Sequence, residues 1–338
     1  MQQEIRFATF NVFNLAPPGA KVYDNLLPLT PDEYEAKVNW TAQQLDLLDA
    51  DVIGFQEVFS QAVLDQVLAR TRHYRNAQHV GFDPEPGIER LTPSVALVSR
   101  LPLACPFVTY PTFPDGVALP PGSRDSDRFA RPVLHAQIVL PGQRIADVLV
   151  VHLKSRRPDY RNGDGGADSL LIAMANLRSL IRRGTEAVAL RVLLSTLWRQ
   201  SGERRPRIVL GDFNDVADSV TSAIVMGGAV SAEAGEELAD RMFDSRQIQL
   251  RCDQLRYVGY TNIHEGNATT IDHILVSEEF NPASKQAIGE VLEVIYLNDH
   301  LLQQRPEVSD HGQVVARIRL YEVANPIANP MTMADPAN

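Results

Sequence analysis

The octapeptide IVLGDFND, residues 208–215, leaves an apolar run through a glycine and sets Asp212 and Asn214 two residues apart. Gly, Asp and Asn are also what turns are made of, so the pair gains meaning only from its company. Asn11 follows RFATF, Glu57 follows VIGFQ, and His152 and Lys154 follow VLVV. Asp272 and His273 interrupt the start of TTIDHILV, and Asp310 and His311 sit just before the last apolar run. Six such coincidences of acid, amide and imidazole are hard to explain by turns. Glu57, Asp212 and Asp310 are hard oxygen donors and Asn11 adds an amide oxygen, a set suited to Mg²⁺ or Mn²⁺. Histidines beside acids supply proton transfer and charge stabilisation near neutral pH. A zinc thiolate site is excluded, because the cysteines are Cys105 and Cys252 alone. An EF-hand fails as well, since Val216 and Ala217 fall on the next ligand and glycine positions after Asn214. With no Gly-rich nucleotide loop and no Ser or Cys elbow, the set points to metal-assisted hydrolysis of a phosphate ester.

Such residues need strands to carry them. EIRFATFNV, DVIGFQEV, SVALVSR, PVLHAQIVL, RIADVLVVHL, RIVLGDFN, TTIDHILVS, GEVLEVIYL and GQVVARIRLY read as strands. Between them, Thr30 caps a helix with Pro31 at its first position and Glu33 completing a capping box, and Val38, Ala42, Leu45 and Leu48 fall at helical spacing. Ser60 reads as the cap of a second helix, and a long third one runs from Ser169 to Arg199 with Gly184 as a point of interruption. Strands alternate with helices early and dominate late, which predicts a layered α/β protein with mixed sheets. In that class ligands gather at the carboxyl ends of strands. Two stretches, 111–127 and 155–169, are longer than connectors usually are.

Composition narrows the partners. The 338 residues are 44% hydrophobic, ample for a large core, and the net charge of −10 argues against a general nucleic-acid coat. It does not argue against an enzyme that meets phosphates through a local patch or a bound cation. Two cysteines are too few for a disulfide framework. No signal peptide or membrane span is visible, so a cytoplasmic location is expected. No linker divides the chain: residues 1–322 are expected to form one catalytic domain and 323–338 a disordered tail.

In order, FATFNV, GFQEV, VVHLKS, LGDFN, TTIDHILVS and SDHG resemble the endonuclease/exonuclease/phosphatase superfamily, to which deoxyribonuclease I and exonuclease III belong. The resemblance spans Ile5 to about Leu320. It implies a four-layer α/β sandwich, two mixed β-sheets packed face to face with helices outside. It also implies that Glu57 and Asn11 bind Mg²⁺ or Mn²⁺ with Asp310 sharing the site. Asp212 then orients or deprotonates the attacking water, and Asn214 holds a phosphate oxygen. His152 and His311 flank the phosphate, and Asp272 orients His311.

Within that superfamily the match to single branches thins. Abasic-site endonucleases carry Trp and Arg ahead of the late aspartate, where this chain reads ATTIDHI. Inositol-polyphosphate 5-phosphatases have Asp-Arg where His273 follows Asp272 here. Members resembling deoxyribonuclease I pair the first histidine with a glutamate near SVALVSR, but Pro93 and Ser94 stand there and only Glu89 is close in sequence. Arg156, Arg157 and Arg161 offer either a solvated face or a cationic rim for a phosphodiester. The favoured expectation is a nuclease acting on DNA or RNA. Its alternatives are a phosphatase or sphingomyelinase-like phosphodiesterase acting on a small or lipid phosphate, and a binding protein that has lost turnover. Substrate identity and the number of subunits stay open at this stage.

Overall fold

The computed structural model describes residues 3–23, 26–83, 89–121, 123, 127–161, 168–201, 205–227, 240–250, 259–303 and 305–322. Numbered along the chain, β1 (Gln3–Leu15), β2 (Val52–Val58), β3 (Gln78–Gly81), β4 (Ser94–Ser99), β13 (Gly289–Leu297) and β14 (Gln313–Leu320) make a first sheet. Its spatial order is β13-β14-β1-β2-β4-β3. A second sheet holds β5 (Val108–Thr112), β6 (Arg128–Val139), β7 (Ile145–His152), β8 (Arg207–Asp212), β9 (Met242–Asp244) and β12 (Asp272–Ser277), ordered β5-β6-β7-β8-β12-β9. Each sheet is mixed, with β1–β2 and β7–β8 parallel and the other pairs antiparallel. A short hairpin, β10 (Asn262–His264) and β11 (Asn267–Thr269), precedes β12.

The layers follow from period-2 alternation. Ile5 and Phe7 of β1, Val148 and Val150 of β7, Ile208 and Leu210 of β8, and Ile274 and Val276 of β12 fill one core between the sheets. Their alternates face outward. Ala8, Phe10, Ile53 and Phe55 pack under α1 (Pro31–Leu48) and α2 (Gln61–Arg70). Leu149, Val151, Val209 and Leu275 pack under α3 (Ser169–Gln200) and α4 (Val220–Met226). The result is helix, sheet, sheet, helix, the four-layer sandwich that the resemblance implied. Close approach of the sheets depends on Gly54, where a Cβ would stand 2.8 Å from the Leu210 Cβ.

Several local expectations change. Thr30 and Glu33 form the capping box as read, but Ser60 makes no side-chain cap, and Asp83 Oδ1 instead accepts the Gln61 N–H at 2.9 Å. α3 runs unbroken through Gly184 for 32 residues. The strand read as TTIDHILVS begins only at Asp272, because Thr269 belongs to the preceding hairpin. The stretch read as a long loop from 111 opens inside β5. The tail 323–338 lies outside the described residues. Among the described residues no helix is long and apolar enough to cross a membrane.

Candidate active site

Alternation also aims the polar strand ends. His152 continues the inward row of Val148 and Val150, Asp212 that of Ile208 and Leu210, and Asp272 that of Ile274 and Val276. The register then aligns them: His152 and Asp272 are both Cα partners of Asp212, from β7 and β12 respectively. Asn11 extends the Ile5–Phe7 row from the opposite sheet, so its amide donates to Asp212 Oδ2 at 3.2 Å across the sandwich. His273, one residue past Asp272, faces the other way and bonds Asp244 and the Asp215 carbonyl. It is a buried structural histidine.

Glu57 breaks the alternation. Continuing β2 would turn it outward, but φ is +63° and a bulge separates Gln56 from Val58, so the strand end twists. Asn14 donates its backbone N–H to Glu57 Oε2 at 3.1 Å. Phe13 and Asn14 are themselves left-handed, at φ +50° and +58°, and Asn214 at +52°. Non-glycine residues in this region cost about 1–3 kcal/mol each and gather at functional sites. Here they bend β1, β2 and β8 where the acids cluster.

The segment before β14 completes the site. Ser309 Oγ donates to the Asn11 carbonyl at 2.6 Å and accepts the His311 N–H at 3.0 Å, pinning that segment to β1. His311 Nδ1 lies 2.8 Å from Asp272 Oδ2, and its Nε2 lies 3.9 Å from Asp212 Oδ2. His152 Nε2 approaches the same oxygen to 3.3 Å, while its Nδ1 is buried with no hydrogen-bond partner among the described residues. Among the described residues no acid orients His152 through that nitrogen, and Ser94, at the start of β4, also has a buried Oγ without a partner. His300 accepts a structural role, with Nε2 2.8 Å from the His311 carbonyl and its ring edge-on to Trp40.

Electrostatics separate the two imidazoles. Burial works against charge on His311, but the Asp272 and Asp212 carboxylates overcome it and hold its pKa well above the ordinary value. Burial, reinforced by Arg131, His311 and Lys154, holds His152 well below it, so that ring is neutral. Burial and then Asp272 push the Asp212 carboxyl up to about 7, against the pull of His311. Glu57 is raised by burial and by Asp310 beside it.

Two carboxylate groupings could hold a cation. Asp212, Asp272 and His311 bring ligand atoms within 4.8 Å of one another, but the imidazolium of His311 already balances that group. Asp310 raises Glu57 against the pull of His311 and Arg131, and such a pair of acids with oxygen donors suits a hard divalent ion. Asn11 is placed differently from expectation. Its oxygen accepts the Phe13 N–H at 3.1 Å while its nitrogen donates to Asp212, tying strand ends together.

Other expected residues are bound into the frame. Asn214 donates to the Leu153 carbonyl at 3.0 Å and its own N–H caps Asp212 Oδ1 at 2.8 Å. Arg156 is not a free rim charge. Nε donates to the Asn214 carbonyl at 3.0 Å and Nη2 to Asp215 at 2.6 Å. Arg157 is exposed, while Lys154 folds its ammonium back onto Ser155 and the Arg157 carbonyl.

Three neighbours escaped sequence reading. Arg131 of β6 acts electrostatically on Glu57, His152 and Tyr23, and nothing in RFARPV announced it. Ser309 looked like any loop serine. Lys37 did leave a signal, three residues from Tyr34 and four from Thr41 on the buried face of α1. Its ammonium is unpartnered, sits 5.5 Å over the Phe13 ring and 5.6 Å over Trp40, and burial lowers its pKa from 10.5 to about 7.

Comparison with known proteins extends this picture. The profile of the Endonuclease/Exonuclease/phosphatase family matches residues 8–311. No curated protein sequence matches the chain. The human Nocturnin catalytic domain with bound sulfate is similar in fold, with TM-score 0.57 and 15% identity over 95% of this chain and 98% of that one. Mannosyl-6-phosphatase from Bacteroides thetaiotaomicron gives 0.55 and 16% over 93% and 99%. TDP2 from D. rerio, complexed with a single-strand DNA product, gives 0.55 and 14% over 93% and 98%.

Proposed function

Because the chain belongs to the Endonuclease/Exonuclease/phosphatase family, whose members hydrolyse phosphoesters with a divalent metal, we propose that it is a Mg²⁺-dependent phosphodiesterase acting on DNA or RNA. The observation that carries the reading is the row His152–Asp212–Asp272–His311, buried between the sheets and closed by 2.8 Å and 3.3 Å contacts. In it Asp212, a carboxylate of raised pKa, takes a proton from the attacking water. His311 keeps Nε2 for the substrate because Nδ1 is held by Asp272, so its imidazolium stabilises charge building on the phosphoryl oxygens and protonates the leaving oxygen. Neutral His152 donates from Nε2 at the opposite side of Asp212. Glu57 and Asp310 would hold the cation, which when bound polarises a phosphoryl oxygen.

A nucleic acid is favoured over a small ester because Arg131 and Lys154 act electrostatically on His152, and Arg157 on Tyr23, in a chain whose net charge is −10. A local cationic rim attracts a polyanion that the rest of the surface repels. Arg157→Ala is therefore expected to raise KM several-fold and flatten its salt dependence with kcat unchanged. Arg156→Ala should instead lower kcat by about tenfold, since that guanidinium holds the Asn214 backbone. Equal KM effects of the two substitutions would remove the rim from the reading.

The direct test is a metal-dependent screen over plasmid DNA, single strands, RNA, bis-p-nitrophenyl phosphate and a phosphomonoester. EDTA should abolish diester cleavage and Mg²⁺ or Mn²⁺ restore it, with a metal-dependent rise in Tm as ligand linkage requires. Turnover of the monoester alone would favour a phosphatase. Chelator-indifferent activity would sink the assignment.

A further inference from the structure

The long helix α3 carries an apolar stripe on the face turned away from the active site. Leu170, Met174, Leu177, Leu180, Ile181 and Val188 are each between 37% and 68% exposed. The opposite face, with Ala175, Ser179, Arg183 and Glu186, is buried against the second sheet. Positions 170, 174, 177, 181, 184 and 188 advance by alternating steps of four and three, the spacing of a helix–helix seam. One seam position is Gly184, whose missing Cβ would meet nothing within 4 Å. Glycine inside a helix costs about 1 kcal/mol relative to alanine. Among the described residues no contact accounts for it.

We infer that this stripe is the interface of a two-fold dimer, in which α3 packs antiparallel against α3 of a second copy. The seam is self-complementary in that direction. Leu170 falls opposite Val188 of the second copy, Leu177 opposite Ile181, and Met174 opposite Gly184. The longest side chain thus meets the one position without a side chain, once on each side of the axis. An isologous contact requires such matching of a surface to itself. The arginines beside the stripe do not obstruct it: Arg178 donates to the Asp159 carbonyl, and Arg182 bonds Glu186. The exposed parts of the six side chains amount to roughly 500 Å² per copy, a patch size that marks interaction sites. Doubled, with its polar flanks, this reaches the roughly 1,000 Å² at which specific interfaces begin. A lipid surface is the less favoured occupant, because anionic membranes repel a chain of net charge −10.

Sedimentation equilibrium of the full chain between about 1 and 100 µM tests this. The expected mass is twice the 37.5 kDa of one chain. Leu177→Glu combined with Ile181→Glu should give a monomer with unchanged turnover per chain, since neither residue touches the site. Gly184→Leu separates interface from fold: it should weaken association at least tenfold while leaving the monomer's Tm unchanged or higher. A wild-type monomer at 100 µM, a double-Glu variant that stays dimeric, or a monomer that co-sediments with phosphatidylcholine vesicles would each overturn the inference.

Discussion

Asp212→Asn is expected to reduce kcat by about 10³–10⁴-fold, as loss of a general base does. The substitution keeps the shape of the side chain and the acceptor for the Asn214 N–H, now 2.8 Å away. What disappears is the carboxylate proposed to accept the proton of water. Stability should move the other way. Burial raises the Asp212 pKa from 3.8 to about 7, so the folded state binds more protons than the unfolded one between those values. Stability then falls as pH rises through that window, and the wild type carries the full cost above about 7. The asparagine variant is expected to melt at the same or a higher temperature than wild type at pH 7.5. Single-turnover rates and thermal melts on one preparation check both halves. Wild-type turnover would remove Asp212 from the mechanism.

The second large effect is expected at His311. Its replacement by alanine should cost about 10²–10⁴-fold in kcat. The imidazolium is held charged by Asp272 and Asp212, so its folded pKa lies well above 6.5. Its contribution to stability is fully present below 6.5 and is lost as pH rises through the folded value. His311→Ala should therefore destabilise the protein most in mildly acidic buffer. Asp272→Asn supplies the matching test. Without that carboxylate, 2.8 Å away, the alkaline limb of the pH–rate profile should shift to lower pH. An unmoved limb would mean that His311 is not the titrating acid. If Asp212 and His311 act as a unit, as proposed, the double variant should lose far less than the product of the single losses.

How much of this was legible depends on which rule placed each residue. His152, Asp212 and Asp272 sit at the ends of long apolar strands, and alternation with register suffices to bring them together. The same alternation separates Asp272 from His273, a distinction that was available in the letters and not drawn. Glu57 is the opposite case. Its side chain reaches the site through a left-handed φ and a bulge, and neither follows from VIGFQEV. Arg156 was misplaced because a guanidinium in a loop looks the same whether it faces solvent or holds a backbone carbonyl. The strands not foreseen, β3, β5, β9, β10 and β11, are short edge, flanking or hairpin pieces of three to five residues with little apolar pattern. Gly184 was read as a break because glycine is costly in helices, but cost is not prohibition when the flanking turns are strong helix formers.

The hydroxyl of Ser309, which joins β1 to the segment entering β14, has a consequence for synthesis on the ribosome. β1 is translated before its β14 neighbour and before His311, which come some 300 residues later in the chain. A nascent chain that has not yet released this stretch lacks both β14 and His311. The cluster of His152, Asp212, Asp272 and His311 is therefore complete only when late-made sequence closes against early-made sequence.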